Sequence, residues 1–480
     1  MNRRNPGYGT ILGILFLGIL IVSLFVKAMY SFDDSPYFTR NNLVDYFFLG
    51  MHLLIIVLIY RYRDYIQIYF SLRLFSFLFF YFTIVFNILS PVIPFSDMGG
   101  VYDGALDITS LDFNALFSEP YFQVFPGNIK LSLFWGFVLL PLPKSIFSLR
   151  AINAILLYMI SVLCLKIAKS YGLKYYNLSF VMMTFFGSWI MYTSVVYYEG
   201  PLIFLSMLAL YMYKCKDKLV LSALILGLAA YFRMLAAVFV VAILCDYLLN
   251  SEISKERKMT DALKAVICYI VVSFVPTKIV WLLFIRGRFE EYPIWNQFYI
   301  GFNEAKFGFM DQDFSYSRNL RDILQRIIDY GPLRTIRIII KKTFWLWTQG
   351  TFQAQRYVFG EDALTENEKF YYHSLLTNHL LNDNQKLRCL INSFLRAQYL
   401  SIFFVTSYAL LTTRRRKEFT VFINVLLFTF LGMLIYELKS RYILHVIPIM
   451  SLFFAEGIER LERQRFLQRF WQRLCISSNS

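Results

Sequence analysis

PFSDMGGVYDGALDITSLDFNALFSEPYFQVFPGN, residues Pro94–Asn128, runs directly into IKLSLFWGFVLLPL, residues Ile129–Leu142. The first piece is polar and aromatic. It holds Asp97, Asp103, Asp107, Asp112 and Glu119, with no Lys or Arg before Lys130. The second is apolar and ends in Pro141-Leu142-Pro143. Whether that second piece crosses a membrane decides the arrangement of everything after it.

Composition supplies the frame. The 480 residues are 58% hydrophobic, 19% aromatic and 17% charged, where soluble domains run near about 25% charged. This predicts an all-α, polytopic membrane protein. The net charge of +16 is not a nucleic-acid signal, because the basic residues cluster in short segments between apolar runs. The six cysteines show no CxxC or Cys/His spacing, which argues against disulfides and structural zinc. Four histidines make a His-based metal centre a poor reading too. The first apolar run lacks an A-x-A cleavage pattern and reads as a retained helix.

About twelve segments (range 11–13) are long enough to cross, at ~20 residues per span with shorter ones tolerated. They are Ile11–Ala28, Val44–Tyr60, Leu74–Ile93, Ala151–Ile167, Asn177–Tyr197, Pro201–Tyr213, Leu219–Phe232, Met234–Leu249, Ala265–Ile285, Leu395–Thr412, Phe419–Tyr436 and Tyr442–Phe454. Arg61/Arg63/Arg73, Lys166/Lys169/Lys174, Lys214/Lys216/Lys218, Lys255/Arg257/Lys258 and the basic tail then share one face. The positive-inside rule makes that face the cytoplasm, with both termini in it, in a plasma-membrane protein. If Ile129–Leu142 also crossed, Glu199 would become cytoplasmic and the later basic segments would invert. It is therefore laid on the outer face, extending the acidic loop to Arg150.

The chain divides accordingly. Residues 1–73 hold two N-terminal spans and a linker, and 74–286 a membrane core with the external loop 94–150. Residues 287–394 form an external, juxtamembrane segment, 395–457 the last spans, and 458–480 a basic tail. Within 287–394, the apolar stripe of Leu320–Ile340 predicts a helix in the headgroup layer.

Four features on the predicted outer face carry chemistry. Asp97 follows a span at once, and partial desolvation there can give a carboxylate the basicity to take a hydroxyl proton. Ser96-Asp97 also suits a helix cap, with Asp103 and Asp107 on the solvated face. Glu199, in Tyr197-Tyr198-Glu199-Gly200-Pro201, either favours the start of a helix or acts as a second acid. Arg233 interrupts an apolar stretch and suits a lipid phosphate, or snorkels to headgroups. Lys439, Arg441 and Tyr442, between the last two spans, form a compact group suited to phosphate oxygens. Together they imply an outward-opening aromatic cavity for an anionic amphiphile.

On SDMGGVYDGALDI, YFQVFPGN, RAINAILLYMISVLCLKIAKSYG, YYEGPL, LILGLAAYFRMLAAVFV and ELKSRYILHVIPI, the chain resembles the GT-C superfamily of integral-membrane glycosyltransferases. The likeness is to the bacterial protein O-mannosyltransferase/aminoarabinose-transferase-like branch and covers most of residues 74–457. It departs in having Glu at 199, Arg at 233, Phe-Pro-Gly-Asn for Tyr-Pro-Pro, and two extra leading spans. The resemblance implies a GT-C-like fold with amphipathic external-loop helices and an outward-facing polyprenyl-phosphate sugar donor. It implies a cell-envelope acceptor: a polysaccharide, teichoic-acid-like polymer, glycolipid or protein. Asp97 would be the general base, with Glu199 a second catalytic acid. Asp103, Tyr121, Asn128, Arg233, Lys439, Arg441 and Tyr442 would bind substrate, the cations holding the departing phosphate. Transfer would invert the anomeric carbon. No cofactor is implied; relatives with diphosphate donors use a divalent metal, which Asp97 with Glu199 could hold, but this branch need not. Membrane lipid is a partner and nucleic acid is not. The rival readings are a polysaccharide polymerase or ligase using lipid-diphosphate oligosaccharides, and a non-enzymatic transporter of lipid-linked sugars.

Overall fold

A computed structural model describes residues 7–25, 42–89, 96–249, 254–290, 292–309, 317–354, 385–413 and 415–463, with Pro94, Ser315 and Tyr357. Residues 26–41, the stretch 358–384 and the basic tail beyond Arg463 lie outside the described residues. Among the described residues the chain is helical, with no strand.

The helices, in order, are α1 Tyr8–Phe25, α2 Asn42–Arg61, α3 Arg63–Ile68, α4 Leu72–Leu89, α5 Ser96–Thr109, α6 Phe113–Ser118, α7 Pro120–Val124, α8 Ile129–Leu139, α9 Ile146–Ser170 and α10 Asn177–Phe185. There follow α11 Gly187–Tyr192, α12 Glu199–Lys216, α13 Leu219–Phe232, α14 Ala236–Leu249, α15 Lys255–Val280, α16 Trp295–Gly301, α17 Leu320–Thr348, α18 Gln385–Thr412, α19 Arg416–Ile435 and α20 Val446–Glu462. Six helices are long and apolar enough to cross a membrane: Leu43–Arg61, Leu72–Leu89, Ile146–Ser170, Lys255–Ile285, Lys386–Thr412 and Lys417–Ile435. Tyr8–Leu24, Leu219–Phe232 and Ala236–Leu249 are shorter apolar helices. Phe77, Ile88, Leu263, Phe274 and Leu283 are among the large apolar side chains exposed on the outside of the bundle. Such surface is stable against lipid and would be unfavourable in water. This is a helical membrane protein.

The same helices carry unlike charges at their two ends. At one end Lys174 pairs with Glu462 at 2.7 Å, Arg463 with Glu459 at 2.6 Å, and Lys214 with Asp246 at 3.0 Å. These lie at the C-terminal ends of α9, α20, α12 and α14. Arg63, at the start of α3, and Arg415, before α19, join them through Glu462 and Glu459. The opposite end, where α12 and α20 begin and α13 and α19 finish, holds Glu199, Arg233, Lys439 and Arg441. Arg396 of α18 meets Asp45, in the first turn of α2, at 2.8 Å, joining helices far apart in sequence.

The acidic loop is a layer of short helices across that second end. α8 has 11 residues and so rises about 16 Å, half of a ~30 Å hydrocarbon core. It packs along α5; Ser132 donates to the Val101 carbonyl at 3.0 Å and Trp135 is fully buried. α6 begins where the Asp112 side chain accepts from the Ala115 amide at 3.0 Å, an N-cap.

Two predicted elements differ. The span Asn177–Tyr197 is broken after Phe185: Phe186 is extended (φ −77°, ψ 105°) before α11 begins. The Gly187 amide is held there by the Gln398 side chain at 2.9 Å, so a tertiary contact overrides the apolar run. The amphipathic stretch Leu320–Ile340 is bent within α17, where Gly331 (φ 70°, ψ 171°) precedes Pro332. Its first half keeps Leu324 and Ile328 exposed, whereas Ile338, Lys342, Leu346 and Trp347 beyond the bend are buried in the bundle. Leu333, Ile336 and Ile340 beyond the bend stay exposed too, so one side of the second half also faces outward.

Candidate functional site

A cavity of about 340 Å³ opens at the second end of the bundle, with walls from α5, α7, α8, the α13–α14 junction, α15 and residues 436–442. Local structure explains how each wall arrives. Asp97 stands in the first turn of α5, after Ser96 at φ 52°. A Cβ at Gly100 would lie 2.5 Å from the Tyr121 ring, so only glycine lets α5 approach α7 this closely. Asn128 donates from Nδ2 to the Tyr121 hydroxyl at 2.6 Å and the Tyr197 hydroxyl at 3.2 Å. Trp135 donates to the Tyr197 carbonyl at 3.1 Å. Asn153, buried on α9, donates to the carbonyls of Tyr192, Thr193 and Val195 at 2.8–3.2 Å. These bonds fix the irregular segment that leads to Tyr197, Tyr198 and Glu199.

The charges are unequally partnered. Arg441, 3% exposed, donates from Nη2 to Asp97 Oδ2 at 2.7 Å, and from Nη1 to the Tyr357 hydroxyl. An arginine this close favours the ionised carboxylate. In its ionised form a carboxylate only accepts hydrogen bonds and protons. Lys439 pairs with Glu437 at 2.9 Å, whose other oxygen accepts from the Tyr442 hydroxyl at 2.9 Å. Arg233 is different. Its backbone is extended between α13 and α14, and its guanidinium lies 4.6 Å from the Tyr198 ring and 4.2 Å from the Tyr442 ring. No carboxylate lies within 4.0 Å of it among the described residues, so two tyrosine faces supply its electrostatic partner. Burial, and then its charge on Asp97, push the Tyr121 hydroxyl well above its usual value; it stays a neutral O–H group.

Lys130, at the head of α8, is the second cation on this wall. Burial, and then the charge of Arg233, push its ammonium down to about 8. The sign follows directly: Lys130 is charged below that value and loses its charge above it. Affinity of this wall for an anionic probe is therefore expected to fall as the pH rises through about 8, with Lys130→Met flattening the profile. An equally steep fall in the variant would assign the titration elsewhere.

Seven of the residues singled out in the sequence line this one cavity: Asp97, Tyr121, Asn128, Arg233, Lys439, Arg441 and Tyr442. Glu199 is 2% exposed and does not line it, although it feels the charges of Arg441 and Arg233. Neither of its oxygens has a hydrogen-bond partner of normal geometry among the described residues. Asp103 is exposed on α5 and outside the cavity. At 100° per residue, six residues turn it about 240° from Asp97. Lys130, Trp281, Tyr292, Gln297 and Tyr436 line the site without having been singled out. Placing Ile129–Leu142 beside the acidic loop was the one signal available, since it makes Lys130 the nearest cation to that loop. Among the described residues no group of three or more His, Cys, Asp or Glu comes together to hold a metal. No protein-family model, curated protein or solved structure matches the chain.

Proposed function

We propose that the protein is a GT-C-like membrane glycosyltransferase that moves a sugar from a polyprenyl-phosphate donor to a hydroxyl of a cell-envelope acceptor. The observation that carries this reading is the cavity itself: two carboxylates, Asp97 paired with Arg441 and Glu437 paired with Lys439, face a space also lined by Lys130 and Arg233. In the reaction, the acceptor hydroxyl gives its proton to Asp97 as its oxygen bonds the anomeric carbon. The bond from that carbon to the phosphate oxygen breaks, and the lipid phosphate leaves with the electron pair. Attack opposite the leaving group inverts the centre. Arg233, Lys130 and Lys439 hold the phosphate as its charge grows. Arg441 holds Asp97 rather than the phosphate.

The membrane arrangement belongs to the same proposal. Six long helices, together with α1, α13, α14, the α10–α11 pair, α12 and α20, make twelve crossings. The end rich in Lys and Arg then faces the cytoplasm, and the cavity opens outward. Removing the protein from its cells is expected to delete one sugar from an envelope glycan and to accumulate its lipid-phosphate form, both reversed by restoring the gene. Unchanged envelope glycans with no lipid-linked sugar accumulating would overturn the proposal.

A further inference from the structure

Beneath the cationic wall, one lysine side chain joins three separate pieces of chain. Lys342, beyond the bend of α17, is 1% exposed. Its Nζ donates to the carbonyls of Gly301 and Tyr436, each at 2.9 Å. Gly301 is the last residue of α16 and Tyr436 caps the C-terminus of α19. Both carbonyls lie at the negative ends of helices, where an N–H donor or a cation is favoured. No carboxylate lies within 4.0 Å of Lys342 among the described residues.

The surrounding backbone is built to this junction. A Cβ at Gly301 would come 2.5 Å from the Ile435 carbonyl oxygen, and one at Gly308 (φ 85°) 2.7 Å from the Gly301 carbonyl oxygen. The Leu438 amide donates to the Gly308 carbonyl at 2.6 Å, and the Tyr436 hydroxyl donates to Gln297. Residues 435–438 are thus hooked to the 297–308 segment at several points. Lys439 and Arg441 follow immediately. Burial pushes the Lys342 ammonium down to about 7. Even a neutral amine has two N–H groups for the two carbonyls, so the junction holds in either protonation state.

We propose that Lys342 is the positioning residue of the cavity's cationic wall: it fixes residues 436–441 against α16 and so sets where Lys439 and Arg441 stand. It touches no ligand. The inference rests on reading the cavity as a site for a phosphate-headed amphiphile, and its test separates the two claims.

The full-length protein in detergent is titrated with farnesyl phosphate. Lys342→Met is expected to weaken binding by about tenfold, a coupling size usual for residues in one network. Adding Lys439→Met should then cost little more, whereas adding Lys130→Met, on the α8 wall, should multiply the loss. General loosening of the fold would instead multiply with both. Hydrogen exchange provides the arm that needs no ligand: the Leu438 amide should lose protection in Lys342→Met while amides in the middle of α9 keep theirs. Where Lys342→Met does not insert, Lys342→Gln replaces it, its side chain being one atom too short to span both carbonyls. Unchanged Leu438 protection overturns the role of Lys342, whether or not farnesyl phosphate binds. Unchanged affinity in a folded variant overturns it as well. Wild-type protein that fails to bind farnesyl phosphate while Lys342→Met loses Leu438 protection rejects the ligand reading alone.

Discussion

Asp97→Asn is expected to lower the rate of sugar transfer by about 10²–10⁴-fold, the range for removing a positioned general base. The substitution is nearly isosteric. Asn can still accept a hydrogen bond from Arg441, so the wall that holds the 2.7 Å contact should keep its shape. What is lost is the ability to take up the acceptor proton as the new bond forms. Donor binding should change little, because Arg233, Lys130 and Lys439 carry the phosphate in the proposed reaction. The check is single-turnover transfer by reconstituted protein, beside farnesyl phosphate titration of the same sample. Full transfer by a normally inserted Asp97→Asn protein would reject Asp97 as the base.

Arg441→Met should be the most destabilising single change in the site. The Arg441 side chain is 3% exposed and the Asp97 side chain 23%, so removing the guanidinium leaves a mostly enclosed carboxylate without its cation. Breaking a fully buried pair costs about 3–5 kcal/mol; partial exposure of Asp97 brings the expected cost to roughly 2–3 kcal/mol. The loss also removes the donor to the Tyr357 hydroxyl. Adding Asp97→Asn to Arg441→Met should recover about half of the lost thermal stability in detergent, because it removes the stranded charge. A double variant no more stable than Arg441→Met would show that the pair does not carry the effect.

Much of this site could be read before the fold was known, for a physical reason. A charge among apolar runs is unfavourable unless something repays its burial, and Arg233 stood out on that ground, Asp97 for following a span at once and Arg441 for its compact group with Lys439 and Tyr442. Their convergence could not be read, because the pairing of Asp97 with Arg441 depends on how distant helices stack. Lys130 escaped notice because a lysine heading an apolar run looks like an ordinary interfacial residue. Trp281 escaped because aromatic residues at helix ends are common in membrane proteins; its position follows from the single π-turn Trp281–Ile285 that ends α15, a feature frequent at functional sites. Asp103, read both as a solvated helix-face residue and as a substrate residue, is exposed, as the first reading has it. The break at Phe186 and the bend at Gly331 were missed as well. In the first a glutamine from α18 decides the outcome, and in the second the glycine–proline pair lies within an otherwise regular stripe.

The ion pair between Asp97 and Arg441 joins residues 344 positions apart. At about 5–20 residues per second, a ribosome needs roughly 20–70 s to make the intervening chain. Asp97 exists throughout that interval, Lys130 and Arg233 join it along the way, and the wall of residues 436–442 comes only at its end. The cavity lining is therefore completed late in synthesis, just before α20. A chain stopped after Ile435 would carry nearly all the apolar helices and none of Glu437, Lys439, Arg441 and Tyr442. Such a product would hold Asp97 without the arginine that pairs with it, so in the proposed reaction it is expected to be inactive.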